Sequence, residues 1–254
     1  MVFWFSGTGN SLWLAQKLAQ AVGDRLFSMA DACVQGNFSF HLQSDERIGF
    51  VFPVYGWDVP VIVRRFIENL VLDSSNHFCY VACTYGDDMG KTEERVCSLL
   101  SRKGLSLQGI YAVQMPNTYV CLPGFDVDKV SLEKAKLRKA EDLIPLFSEW
   151  VRKKSVGNKR TFPGSMPWIK TYVLGTFFRR FLMKGKYFHS SENCIGCGKC
   201  AKVCPMHNIR MVSSVPFWGK QCAMCLACYH HCPRHAVEYG NMTRGKGQYL
   251  MKES

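Results

Sequence analysis

The chain opens on a short apolar run, residues 2–6, and then changes period. Leu14, Ala15, Leu18, Ala19 and Val22 fall on one helical face, so a strand followed by a helix over 10–22 is predicted. The alternation continues. Residues 25–29, 48–52, 78–83 and 110–113 are short runs rich in β-branched and aromatic side chains, which predicts strands, the last of these ending the sheet. Residues 60–70 and 92–100 read as helices. Residues 131–151 read as a long amphipathic helix with Ser131 as its N-cap. Strand–helix alternation predicts an α/β fold, a doubly wound parallel sheet with helices on both faces.

Past residue 150 the pattern changes. Residues 155–170 are rich in Gly, Pro and basic residues, and residues 168–188 mix aromatics with Lys and Arg. From Cys194 to Tyr239 the sequence repeats itself at a spacing of 28 residues. The expected division is 1–154 as the α/β domain, 155–188 as a basic aromatic connector and 189–254 as a second, small domain. Charge follows it. Residues 1–150 carry 14 Lys and Arg against 17 Asp and Glu, whereas residues 151–254 carry 18 against 3. Bound cysteine thiolates would offset only part of that excess.

The 13 cysteines change the picture most. Eight lie in CIGCGKCAKVCP (Cys194, Cys197, Cys200, Cys204) and CAMCLACYHHCP (Cys222, Cys225, Cys228, Cys232), each fitting C-x2-C-x2-C-x3-C-P. Three thiolates with two residues between each wrap one face of an iron–sulfur cubane, and the fourth, starting a helix that leads away, serves the other cluster. That assigns Cys194, Cys197, Cys200 and Cys232 to one [4Fe–4S] cluster, and Cys222, Cys225, Cys228 and Cys204 to a second. A zinc site fits two matching quartets poorly. His230 and His231, inside the second quartet, are expected to face solvent or form hydrogen bonds. Cys33, Cys79, Cys83, Cys97 and Cys121 read as buried thiols. The start of the chain lacks a basic n-region, so a reducing, cytoplasmic setting is expected. The longest uncharged stretch, 105–125, contains Pro116 and Pro123 and reads as a strand plus loop, not a membrane span.

Candidate cofactor chemistry also lies at the front. Ser6-Gly7-Thr8-Gly9-Asn10-Ser11 sits between a strand and a helix, lacks a Walker lysine and lacks the third glycine of a dinucleotide loop. Backbone N–H groups at a helix start, with three hydroxyls, suit a monophosphate ester such as FMN or a sugar phosphate. Pro53-Val54-Tyr55-Gly56-Trp57 and Thr84-Tyr85-Gly86-Asp87 leave two further strands at the same sheet edge, with aromatics suited to a flat ring.

These three loops resemble those of the flavodoxin fold, which implies strand order 2-1-3-4-5 and FMN. By that resemblance Ser6–Ser11 hold the phosphate, and Tyr55–Trp57 and Thr84–Gly86 hold the ring. Gly56 would let its peptide rotate toward flavin N5. Asp88-Met89-Gly90 stands where many flavodoxins carry a stacking tyrosine, which implies a ring face open or covered by another part of the chain. The cysteine repeat resembles a bacterial-type two-cluster ferredoxin, a small α+β domain. Together they resemble the flavodoxin–ferredoxin fusion proteins of anaerobic bacteria and archaea. The implied function is electron transfer between FMN, two [4Fe–4S] clusters and an external redox protein. The alternative is a reductase acting on a small substrate at its own flavin, above which Trp57, Asn117 or Tyr119 would form a pocket.

Residues 151–190 hold ten Lys or Arg and no Asp or Glu. The plain reading is a connector that packs its aromatics on the two domains and leaves its charges in water. A docking face for an acidic redox partner, or contact with an anionic membrane surface, are the others. Nucleic acid is not expected as a partner.

Overall fold

A computed structural model describes residues 1–252. Six strands form one parallel sheet: β1 (Val2–Trp4), β2 (Leu26–Ser28), β3 (Ile48–Pro53), β4 (Cys79–Tyr85), β5 (Leu107–Gln114) and β6 (Asn158–Arg160). Their order is β2-β1-β3-β4-β5-β6, which contains the flavodoxin-like 2-1-3-4-5 arrangement. β5 is not the last strand: β6, inside the stretch read as connector, lies along Gly109–Tyr111. Its residues, Asn-Lys-Arg, carry no apolar period to announce a strand.

The sheet is covered on both faces by α1 (Asn10–Val22), α2 (Met29–Gln35), α3 (Val61–Asn69), α4 (Thr92–Ser101) and α5 (Val130–Arg152). Strand side chains alternate between two cores. Phe3, Phe50, Val81 and Ile110 meet Met29, Phe66 and Leu99. Val2, Val51, Tyr80 and Tyr111 meet Leu14, Leu18 and Phe147. Ser131 is not the cap of α5; Lys129 holds that position without a side-chain bond, and Ser131 lies in the first turn. α2, too short to show a period, is capped by Ser28, whose Oγ accepts from the Asp31 N–H at 3.1 Å. Four of the scattered cysteines are buried, and Cys97 is exposed. Burial pushes the Cys79 and Cys83 thiols up to about 12, which keeps them protonated and unreactive.

α6, residues 169–182, comprises a wide turn Ile169–Leu174, an α turn Gly175–Phe177 and a second wide turn Phe178–Leu182. Its wide turns close five residues back, from the Gly175 N–H to Lys170 O and from the Met183 N–H to Phe178 O. Beyond it, β7 (Phe188–Ser190) pairs antiparallel with β10 (Val237–Tyr239), and β8 (Ile209–Val212) with β9 (Val215–Trp218). This small ferredoxin-like domain has two helical turns, α7 (Lys199–Lys202) and α8 (Ala227–His230). They hold the third cysteine of each quartet and end before the fourth, so the fourth cysteine does not start a helix. Pro205 and Pro233 explain this, because the residue before a proline is driven out of the helical region.

The two domains interlock at the first glycine loop. The Met251 N–H donates to Thr8 O at 2.9 Å, and Tyr249 Oη donates to Asn10 Oδ1 at 2.8 Å. Among the described residues, no helix is long and apolar enough to cross a membrane.

Candidate functional site

The loops leaving β1, β3 and β4 line one cavity of about 320 Å³, inside the usual range for small-molecule sites. Fourteen of the fifteen expected cofactor residues line it: Ser6, Gly7, Thr8, Asn10, Ser11, the stretch from Pro53 to Trp57, and that from Thr84 to Asp87. Gly9 does not. Its φ of +99° makes the turn into α1, and a Cβ there would come 2.7 Å from Met251 Cβ. A larger cleft of about 1140 Å³ lies across the first loop, between α1, Lys202–His207 and Leu250–Lys252. The second and third loops take no part in it, so the convergence of all three loops singles out the smaller cavity.

Hydrogen bonds sort the loop residues by role. Ser11 Oγ and Thr84 Oγ1 bond each other at 2.8 Å. Asn10 Nδ2 donates to Pro116 O at 3.2 Å while its Oδ1 accepts from Tyr249. Asn10 and Ser11 therefore brace the loops. Ser6, whose Oγ accepts from the Gly9 N–H at 3.1 Å, keeps its own proton to donate, and Thr8 stands beside it. Gly86 approaches Asn117 closely: a Cβ there would fall 1.7 Å from Asn117 Oδ1, so the Asn117 amide would have to move. The Gly86 carbonyl accepts from Gln114 Nε2 at 2.9 Å and Lys136 Nζ at 3.3 Å, and Lys136 is paired with buried Asp128 at 2.7 Å.

The second loop is held from outside. Gly56 has φ +54°, and its carbonyl accepts from Arg179 Nη1 at 2.6 Å. Asp58, fully buried, pairs with Arg64, Arg95 and Arg179 at 3.2, 3.4 and 3.3 Å. Burial lowers the Arg179 pKa, and Asp58 works against that shift. Thr171 Oγ1 donates to Trp57 O at 3.2 Å.

Several wall residues lay outside the expected loops. Met115, Pro116, Thr118, Leu122 and Phe125, with Asn117 and Tyr119, follow β5 at the same sheet edge, a position that could have drawn attention to them. Lys170, paired with Asp88, and Phe178 and Met183 come from the bridge, and Met224, Cys225 and Leu226 from the second quartet. Met89 is buried in the core and Gly90 packs on Thr171, so α6 covers the side that Asp88-Met89-Gly90 was expected to leave open or hand to another segment. Trp57, Asn117 and Tyr119 line this same cavity rather than a second chamber. The donor set fits FMN: Tyr55, Trp57 and Tyr85 supply flat walls, and the Tyr119 hydroxyl is buried with no protein partner.

The cysteines fall into two sets. Cys194, Cys197, Cys200 and Cys232 line one small cavity. In the other set, burial pushes the Cys228 thiol up, and neighbouring Cys225, Cys222 and Cys204 push the same way. Burial likewise pushes Cys225 up to about 12. Among the described residues, no three His, Cys, Asp or Glu close around a single-ion site; cubane ligands stand wider because iron and sulfide fill the middle. Backbone N–H groups reach the sulfurs, from Met224 to Cys222 at 3.4 Å, Asn208 to Cys204 at 3.4 Å and Ala236 to Cys232 at 3.2 Å. Trp218 Nε1 is buried near the Cys228 sulfur without a partner at hydrogen-bond distance, as a cluster sulfide would require. The donor set fits iron–sulfur chemistry.

His230 is buried rather than solvent-facing. Its Nε2 donates to Thr118 O at 2.8 Å and its Nδ1 accepts from the Tyr249 N–H at 3.2 Å. Burial pushes it down to about 4, so the ring is neutral and ties the domains together.

Residues 193–237 match the family model of a 4Fe-4S dicluster domain. No curated protein is similar enough in sequence to match the chain. Among solved structures, a candidate flavoprotein from Bacteroides uniformis ATCC 8492 aligns at 16% identity and a TM-score of 0.33, covering 45% of this chain and 88% of that one. The Trp repressor binding protein of Bacillus subtilis aligns at 15% identity and 0.35, covering 56% of this chain and 97% of that one. The α/β assignment rests on the sheet's own order and connections, and the C-terminal segment is similar to 4Fe–4S dicluster domains.

Proposed function

We propose that the chain is a flavodoxin–ferredoxin fusion that carries electrons between FMN, two [4Fe–4S] clusters and an external redox partner. One observation carries the reading: Cys225, a ligand of one proposed cluster, is itself a wall of the cavity proposed for the flavin. When bound, FMN takes up one or two electrons and each cluster one. Ser6, Thr8 and the start of α1 hold the phosphate end, and the second and third loops hold the ring. Cys204, Cys222, Cys225 and Cys228 hold the near cluster; Cys194, Cys197, Cys200 and Cys232 hold the far one. No acid–base residue is needed for electron relay. One chain keeps the centres at a fixed high effective concentration.

The exit is the far set. Cys197 is exposed, and Lys199, Lys202 and His231 line the cleft around it. A basic rim there favours an acidic redox protein, since complementary charge speeds encounter. The test is anaerobic purification with iron, sulfide and flavin quantified, then a potentiometric titration. Flavin and two clusters should exchange electrons within one molecule. Reduced flavin that fails to equilibrate with the clusters, or zinc in place of iron, overturns the reading. The reductase alternative draws on Trp57, Asn117 and Tyr119 in the cavity wall, and it requires a small substrate to displace solvent there with FMN in place.

A further inference from the structure

The bridge packs Tyr172, Phe178 and Phe188 inward as the plain reading expects, but leaves Trp168, Phe177, Phe181 and Tyr187 exposed. Among the described residues, nine of the 23 exposed large apolar side chains fall within residues 162–187. α6 has two faces. Its inner face buries Thr171 and Gly175, sets Phe178 in the cavity wall, and ties Lys170 to Asp88 and Arg179 to Gly56 O. Its outer face carries Ile169, Val173, Phe177 and Phe181 at steps of four, flanked by Trp168 and Leu174, each between 42% and 59% exposed. An apolar stripe of this extent on a protein surface marks a contact site.

We propose that this outer face docks on an anionic lipid surface, with α6 lying in the plane of the bilayer interface. Charge names the partner. Residues 151–190 contain no Asp or Glu, and among the described residues Arg180, Lys184 and Lys186 have no carboxylate partner. Arg180 borders the stripe, its guanidinium 5.9 Å from the Phe181 ring centre; Lys186 Nζ stands 5.1 Å from the ring centre of Tyr187, an exposed aromatic just past α6, and Lys184 lies between the two in sequence. Apolar side chains beside unpaired basic heads are what an in-plane helix offers an anionic bilayer. The six stripe residues present no side-chain hydrogen-bond acceptor, which a bilayer does not require and a specific protein interface normally does. Anchoring through Lys170, Thr171 and Arg179 holds the stripe along one side of the domain, ready to lie flat. This contact is separate from the electron relay and does not depend on it.

The experiment is co-sedimentation of the anaerobically purified full chain with vesicles of phosphatidylcholine, with and without phosphatidylglycerol. The expected result is binding to the phosphatidylglycerol vesicles that is at least about tenfold stronger than to phosphatidylcholine alone. F177S/F181S and R180E/K184E/K186E each weaken it by at least about tenfold. All five positions lie outside the cavity and the cysteine sets, and unchanged circular dichroism and visible absorbance show that the variants are folded. Wild-type protein left in the supernatant with both vesicle types overturns the proposal, as does F177S/F181S binding like wild type. Self-association without vesicles that F177S/F181S abolishes also overturns it, and gives the face to a second copy of the chain. Sedimentation needs no electron flow, so its outcome is independent of the redox titration.

Discussion

The two cysteine quartets share a spacing and a backbone, yet face different surroundings. In the first, Gly196 and Gly198 take left-handed conformations, φ +67° and +70°. The equivalent positions of the second are Met224 at +54° and Leu226 at +61°. Glycine adopts that region without strain, whereas a side chain there costs about 1–2 kcal/mol. The strain lies at the site: Met224 and Leu226 are buried and wall the cavity. The first quartet looks toward water, with Ile195 62% exposed and Cys197 exposed. A repeat that is symmetric in backbone thus has one half turned to the cavity and the other to water.

The largest expected effect comes from breaking each half in turn. Cys225→Ala and Cys197→Ala should each remove one cluster, about half the iron. Under the proposed relay they differ in consequence. With Cys225→Ala the flavin no longer equilibrates with the surviving cluster, and with Cys197→Ala it still does. Anaerobic titration followed by flavin absorbance and electron paramagnetic resonance reads the difference, and identical behaviour of the two variants removes the near–far distinction.

Next is the contact that only the second quartet makes. A Cβ on Gly7 would lie 2.2 Å from Cys225 O, a backbone atom that cannot swing aside. Gly7→Val should lower FMN affinity at least about tenfold, because overpacking costs about 1–3 kcal/mol and tenfold is about 1.4. Fluorescence titration of apoprotein with FMN measures it. A glycine of the first quartet, Gly198, touches no part of that cavity, so its substitution should leave FMN affinity unchanged.

The strain itself can be isolated. Leu226→Gly relieves about 1 kcal/mol of backbone strain but loses a buried leucine worth about 2–5 kcal/mol, so stability should fall by about 1–4 kcal/mol. The reverse change, Gly198→Leu, meets only Met211 Cγ at 3.9 Å, so backbone strain is the main cost and should be about 1 kcal/mol. Denaturant titration followed by circular dichroism compares them, and a stabilised Leu226→Gly variant sinks the view that the side chain earns its strained position.

The smallest effect lies far from both quartets and serves as a control. The hydrogen bond from Arg25 holds the Glu46 pKa down to about 2, below its ordinary 4.5. A depressed carboxylate stabilises the fold above its unfolded pKa, and that contribution disappears as pH falls from about 4.5 through about 2. Glu46→Gln should lower the melting temperature at pH 7 and converge with wild type across that acid window, with FMN affinity untouched.

Much of this architecture was legible because it is local. β1, its glycine turn and α1 are adjacent in sequence, and a loop at the carboxyl end of a parallel strand has one edge to serve. That placed fourteen cavity residues in advance. Other parts were silent. β6 has three polar residues and depends on α5 to bring it beside β5. The wall supplied by Phe178 and Met183 depends on which face of α6 turns inward, a choice that aromatics scattered among basic residues do not announce. Arg179 and Asp58 are 121 positions apart, and their pairing exists only once the bridge has folded back.

The sequence by itself determined the strand–helix alternation of a parallel sheet, the loops that follow its strands and the eight thiols in two quartets, because period, turn chemistry and ligand spacing are properties of neighbouring residues. Tertiary structure alone decided which quartet faces the cavity, which side of α6 meets water and which guanidinium grips Gly56, because each depends on how segments far apart in sequence pack and on which surfaces that packing leaves open.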